Sequence, residues 1–84
     1  MSIEENFYVI ETSKGSGIYL TDWEYEEGEL MIMGTTKDVT HDSVSRFSIL
    51  EQAVVFADHL YNDAFSKEPR VLKVKMELEV KEVE

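Results

Sequence analysis

The 84-residue chain carries 18 acidic and 8 basic side chains, a net charge of −10, and no cysteine. Disulfides, thiolate metal sites and a cysteine nucleophile are thereby excluded, and direct binding to nucleic acid or an anionic membrane is opposed, because phosphates are met by Lys and Arg. An apolar fraction of 43% suits one small packed domain over 1–84, burying about 60–65% of the surface of the unfolded chain.

The acidic start, "MSIEENFYVI", has no basic n-region of a signal peptide. No apolar run approaches the roughly 20 residues of a membrane span. The expectation is a cytoplasmic protein. "NFYVIET" (6–12) is rich in aromatic and β-branched residues and predicts a strand. "SKGSG" (13–17) is a turn, and "IYLT" (18–21) completes a first hairpin.

"WEYE" and "ELMIM" flank Glu27–Gly28, a second hairpin signal. A two-residue loop sets Glu26 opposite Glu29, Tyr25 opposite Leu30, Glu24 opposite Met31, Trp23 opposite Ile32 and Asp22 opposite Met33. Alternation then puts Trp23, Tyr25, Leu30 and Ile32 on the core side. Asp22, Glu24, Glu26, Glu29, Met31 and Met33 take the other side. A slip of one residue would exchange the faces, so the assignment rests on the turn.

Residues 34–43, "GTTKDVTHDS", read as a loop with one helical turn after Asp38, and "VSRF" (44–47) as a short strand. Ser48 and Glu51 fit an S-x-x-E capping box. Leu50, Ala53, Ala57, Leu60 and Ala64 follow at helical spacing, predicting a helix over about 49–65 that stops before Pro69. The small alanines allow it to lie close to a sheet.

"VLKVKMELEVKEV" (71–83) alternates longest, with Leu72, Val74, Met76, Leu78 and Val80 on one face and Lys73, Lys75, Glu77, Glu79 and Lys81 on the other. The predicted order is β-β-β-β-(β)-α-β. That is an α+β fold, a two-layer sandwich in which a mostly antiparallel sheet of four to five strands has one face covered by a single helix. The last strand is expected to pair parallel to an earlier one through a right-handed crossover.

Chemical motifs fail on spacing. An EF-hand counted from Asp22 needs Gly at its sixth place and a carboxylate at its twelfth, where this chain has Glu27 and Met33. Thr40–His41–Asp42–Ser43 holds triad residue types, but neighbours in sequence seldom converge as a triad must. His59 has no second ligand in register for zinc. "KGSG" lacks the length and the following helix of a phosphate loop. The expectation is no enzyme, no metal and no cofactor.

The five acids of "TDWEYEEGEL" (21–30) stand out, since like charges placed opposite one another destabilise a hairpin. Acids on alternate strand residues project about 6.6–6.8 Å apart, a spacing like that of successive phosphates. An acidic strand face carrying adaptable methionines therefore suits a basic protein partner, as an inhibitor that imitates nucleic acid. The candidate contact residues are Asp22, Glu24, Glu26, Glu29, Met31 and Met33. The alternatives are a solvated face that serves solubility alone, and a small homo-oligomeric structural or assembly protein, a homodimer joining this acidic hairpin to the basic residues Lys67, Arg70, Lys73 and Lys75.

"FYVIE", then "YL", a Trp, "RF" and "EQAVVFA" before a terminal strand resemble small proteins of phages and prophages in Gram-positive bacteria. The resemblance implies host takeover, a setting in which short acidic inhibitors are common. It carries over no site residue.

Overall fold

A computed structural model of the protein describes residues 2–63, 68–79 and 81–82. Strands β1 (Ser2–Glu11), β2 (Tyr19–Glu26) and β3 (Glu29–Thr36) precede helix α1 (Leu50–Asp63) and strand β4 (Arg70–Glu79). The fold is α+β, with one four-stranded antiparallel sheet in the order β3-β2-β1-β4.

The first departure from expectation lies in β2. "IYLT" and "WEYE" form one strand, although the alternation changes parity between Leu20 and Trp23. Two bulges absorb the change. Leu20 pairs with Thr35, Asp22 with Gly34 and Trp23 with Ile32, so Thr21 and Met33 are each an extra residue. Thr21 shifts the pleat of β2 by one, which returns Leu20 and Trp23 to the same side, and Met33 does the same on β3, which keeps Gly34 opposite Asp22. The proposed pairs from Trp23 to Glu29 all form, whereas Asp22 lies opposite Gly34 instead of Met33.

The turn fixes that register. Glu27 and Gly28 both have positive φ, 54° and 81°, as the two central residues of a type I′ hairpin require.

The last strand departs further. β4 runs antiparallel to β1, from Arg70 opposite Glu11 to Glu79 opposite Ser2, so the parallel crossover does not occur. Its direction follows from its starting point. Buried Glu11 ends β1 and holds Arg70 at 3.0 Å, so β4 begins beside the end of β1 and must run back along it.

β1 and β2 pair only at Glu11 and Tyr19. Beyond that point the β1/β4 and β2/β3 ribbons splay apart, and the molecule is 53 Å long but only 22 × 20 Å across. Residues 44–47 enter the opening between them. Ser45 donates its amide to Leu20 O, while Tyr8 and Phe47 exchange both backbone bonds at 2.7 and 2.9 Å. This is a single bridge, so the expected fifth strand at 44–47 does not form. Before it, two successive turns, closed by His41 N on Asp38 O and Val44 N on His41 O, replace the expected helical turn.

The apolar residues divide into two clusters. Ile10, Leu20, Leu30, Ala57 and Leu60 form one, with Ile32, Phe47, Phe56 and Val71 against it. Phe7, Val9 and Val44 form the other, with Tyr19, Val39, Leu72, Val74 and Met76. β1 is therefore buried on both sides along 7–11, which explains why "FYVI" is continuously apolar instead of alternating.

The alternating row of β4 was expected under the helix. Leu72, Val74 and Met76 instead pack with Val39 and Val44 of the connecting segment, and only Val71 joins the helix cluster. Leu78 is exposed, and Val80 lies outside the described residues. The helical stripe is likewise shorter than its spacing predicts. Ala53, Ala57 and Leu60 are buried, Leu50, Val54 and Tyr61 are exposed, and Ala64 and Phe65 lie outside the described residues. The helix opens at Leu50, with Ala53 N on Ile49 O. Among the described residues Ser48 and Glu51 form no capping box.

Candidate functional site

Six residues were singled out as a contact face, and the hairpin brings most of them together. With Glu24 opposite Met31 and Glu26 opposite Glu29, alternation sets these four on the side of the ribbon away from the core residues Leu30 and Ile32. Asp22 joins them, opposite Gly34. Met33 is the bulged residue and lies outside the regular row, 56% exposed.

All five acids from Asp22 to Glu29 are exposed. Among the described residues none of them contacts a cation. The described basic residues that do form ion pairs find them elsewhere: Arg46 with Glu5, Arg70 with Glu11, Lys75 with Glu4 and Glu77, and Lys81 with Glu79. The hairpin charge is therefore not neutralised internally by these groups.

The opposite side of the same hairpin was expected to be core, and here the structure corrects the sequence reading. Leu30 is buried and Ile32 partly so, but Trp23 and Tyr25 remain 38% and 57% exposed. Trp23 sits edge-on to Phe56 of α1 with centroids 4.7 Å apart, and to Tyr25 at 5.7 Å. Phe47 continues the row, 5.3 Å from Phe56.

Beside this aromatic row runs an open groove of about 570 Å³, lined by Tyr25 and Phe47 and by Glu51, Gln52, Val55, Phe56 and His59 of the helix. Sequence reasoning missed this groove. The available signal was the doublet Val54–Val55, which widens the apolar arc of α1 beyond what Ala53, Ala57 and Leu60 need.

His41 and Ser43 do meet. His41 Nδ1 accepts from the Ser43 amide at 3.1 Å and lies 2.7 Å from Ser43 Oγ. Both side chains are exposed on a turn, and the contact spans two residues, so it serves the turn locally. Asp38 acts similarly. Its Oδ1 accepts from the Thr40 hydroxyl at 2.6 Å and the Thr40 amide at 3.0 Å, and these bonds hold its carboxyl below the ordinary value.

Among the described residues no group of three His, Asp or Glu side chains is placed to hold a metal ion. No helix among them is long and apolar enough to cross a membrane.

Glu11 is the buried charged residue among those described. Burial pushes its pKa up, but the amides of Gly15 and Gly17 and the Arg70 guanidinium together outweigh that and hold it below the ordinary glutamate value. The two amides reach it at 2.8 and 3.1 Å. Positive φ at Gly15 and Gly17, a region open to glycine without cost, turns both N–H groups toward the carboxylate. The side chain is fully engaged in holding the β1–β2 turn to β4, so its role is architectural.

Comparisons of the chain with protein families, with curated proteins and with solved structures return no match.

Proposed function

We propose that the protein is a non-enzymatic binding module whose acidic hairpin face engages a basic protein, acting as a phage-type inhibitor that occupies a nucleic-acid groove by charge mimicry in the host cytoplasm. One observation carries this reading. The register of β2 and β3 gathers Asp22, Glu24, Glu26 and Glu29 on one exposed side, with no cation against them among the described residues. Like charges directly opposite, as at Glu26 and Glu29, lower the stability of a hairpin. A surface that sustains that cost is explained by a partner that neutralises it. Met31, on the same side, supplies an adaptable apolar contact.

The test is affinity capture from a Gram-positive lysate with mass spectrometry. Wild type is compared with Asp22→Lys/Glu24→Lys/Glu26→Lys/Glu29→Lys, and wild-type capture is repeated with competing DNA. The expected result is a basic nucleic-acid enzyme held by wild type alone and displaced by DNA. The same partner captured by both proteins would refute mimicry.

A second reading, a homo-oligomeric structural or assembly protein, is favoured by a different observation. Ile3 and Leu78 are cross-strand neighbours at the far end of the β1/β4 ribbon, and both are exposed. Light scattering at high concentration separates the readings, since a strict monomer excludes the second.

A further inference from the structure

The acidic face is one side of the β2/β3 hairpin, and the other side is built for contact as well. We propose that the groove between β2 and α1 receives an arginine-bearing apolar segment of the partner. The inference rests on the reading of the chain as a binder of a basic protein, and it gives that partner a second contact on the side of the hairpin away from the acids.

The groove combines two kinds of surface. Its lining sets Tyr25, Phe47, Val55 and Phe56 against the polar Glu51, Gln52 and His59 of the helix, with Tyr25 57% and Val55 56% exposed and the ring row Tyr25–Trp23–Phe56–Phe47 alongside. Its one carboxylate is Glu51, and no lysine or arginine lines it. Aromatic faces attract a guanidinium through the ring quadrupole, and a carboxylate receives the same group in paired hydrogen bonds. Arginine satisfies both while laying its aliphatic stem along apolar surface.

Charge complementarity selects this occupant over a second copy of the chain. Each copy carries a net charge of −10, so a second copy would bring net negative charge to a groove whose lining holds the carboxylate of Glu51 and no lysine or arginine. A basic partner reverses that sign. The volume of about 570 Å³ lies within the range of sites that enclose a small ligand or a few side chains.

The double bulge makes the groove what it is. Without the extra residue Thr21, Leu20 and Trp23 would lie on opposite sides of β2. With it, Leu20 enters the core while Trp23 and Tyr25 face the same side, opposite Ile32 and buried Leu30 yet themselves exposed. The hairpin thus presents aromatics to one side and carboxylates to the other.

Trp23 is the sole tryptophan and touches Phe56 and Tyr25, both of which line the groove, so its emission reports on occupancy through them. The probe is a blocked octapeptide of alternating leucine and arginine, compared with a twin in which citrulline replaces arginine. The expected result is a saturable change in Trp23 emission with the arginine peptide. Affinity should fall roughly threefold to tenfold for the citrulline twin and for Glu51→Gln. It should also fall for Val55→Ser, and by less than for Glu51→Gln with Glu24→Gln/Glu26→Gln on the far side of the hairpin. All these substitutions are at exposed positions.

Equal affinity for the two peptides, or no saturable change, overturns the proposal. So does concentration-dependent self-association lost in Val55→Ser, which would make a second copy the occupant. If the far-side variant abolishes binding while Glu51→Gln is silent, the groove fails and mimicry stands. If the groove binds as expected while the charge-reversed protein still captures its partner from lysate, mimicry fails and the groove stands.

Discussion

Glu11 and Arg70, 59 positions apart in the sequence, are joined at 3.1 Å through Nε and 3.0 Å through Nη2 to the same carboxylate oxygen. The carboxylate is almost completely buried, while the guanidinium is 40% exposed. The pair ties the end of β1 to the start of β4, and the same carboxylate holds the glycine turn that leads into β2. Because its pKa lies below the ordinary value of 4.5, Glu11 contributes stability that is present in full above that unfolded value. That contribution is lost as pH falls through the lower folded value. Glu11→Gln is expected to destabilise by roughly 2–3 kcal/mol at neutral pH and to flatten the acid limb of the stability curve. Urea unfolding at a series of pH values checks both. An acid limb unchanged by the substitution would refute the linkage.

The division of the helical stripe gives a second expectation. Leu60 is fully buried among Ile10, Leu20 and Leu30, whereas Leu50, on the same predicted stripe, is exposed. Leu60→Ala should cost about 2–5 kcal/mol, as core truncations do. Leu50→Ala should change stability by no more than about 0.5 kcal/mol, as surface substitutions do. Comparable losses in thermal or chemical unfolding would mean that Leu50 is covered in solution.

At the hairpin tip, Glu27 holds a positive φ of 54° ahead of Gly28. Asparagine adopts that conformation more readily, and Asn–Gly is the preferred type I′ pair. Glu27→Asn is therefore expected to stabilise by about 0.5 kcal/mol with the β2/β3 register unchanged. Thermal unfolding gives the first quantity, and cross-strand NOEs between Glu24 and Met31 give the second.

The pair Glu26–Glu29 allows function to be separated from stability. Glu29→Lys turns a repulsive cross-strand pair into an attractive one, worth about 0.2–1 kcal/mol and diminishing with salt. The same change should weaken capture of a basic partner. Improved stability with undiminished capture would assign these acids to solubility alone.

Much of the candidate site was legible because a hairpin is local. Glu27–Gly28 sets the turn, the turn sets the register, and the register sorts Glu24, Glu26, Glu29 and Met31 onto one side without reference to the rest of the chain. The prediction failed first at Asp22, four residues from the turn. There the bulge is decided by what Leu20 must reach, and Leu20 packs with Leu60 of α1, a residue far away in sequence.

By itself the sequence determined the helix centred on Ala53–Leu60, the tight hairpin at Glu27–Gly28 and the density of acids on it. These follow from local periodicity and turn chemistry. Only the tertiary structure decided three further things: that β4 runs antiparallel to β1, that Val39 and Val44 pack with Leu72 and Val74, and that Tyr25 lines a groove beside α1. Each depends on long-range burial or on one charge pair. Alternation shows that a strand has an apolar side, but it carries no information about which distant segment will cover that side.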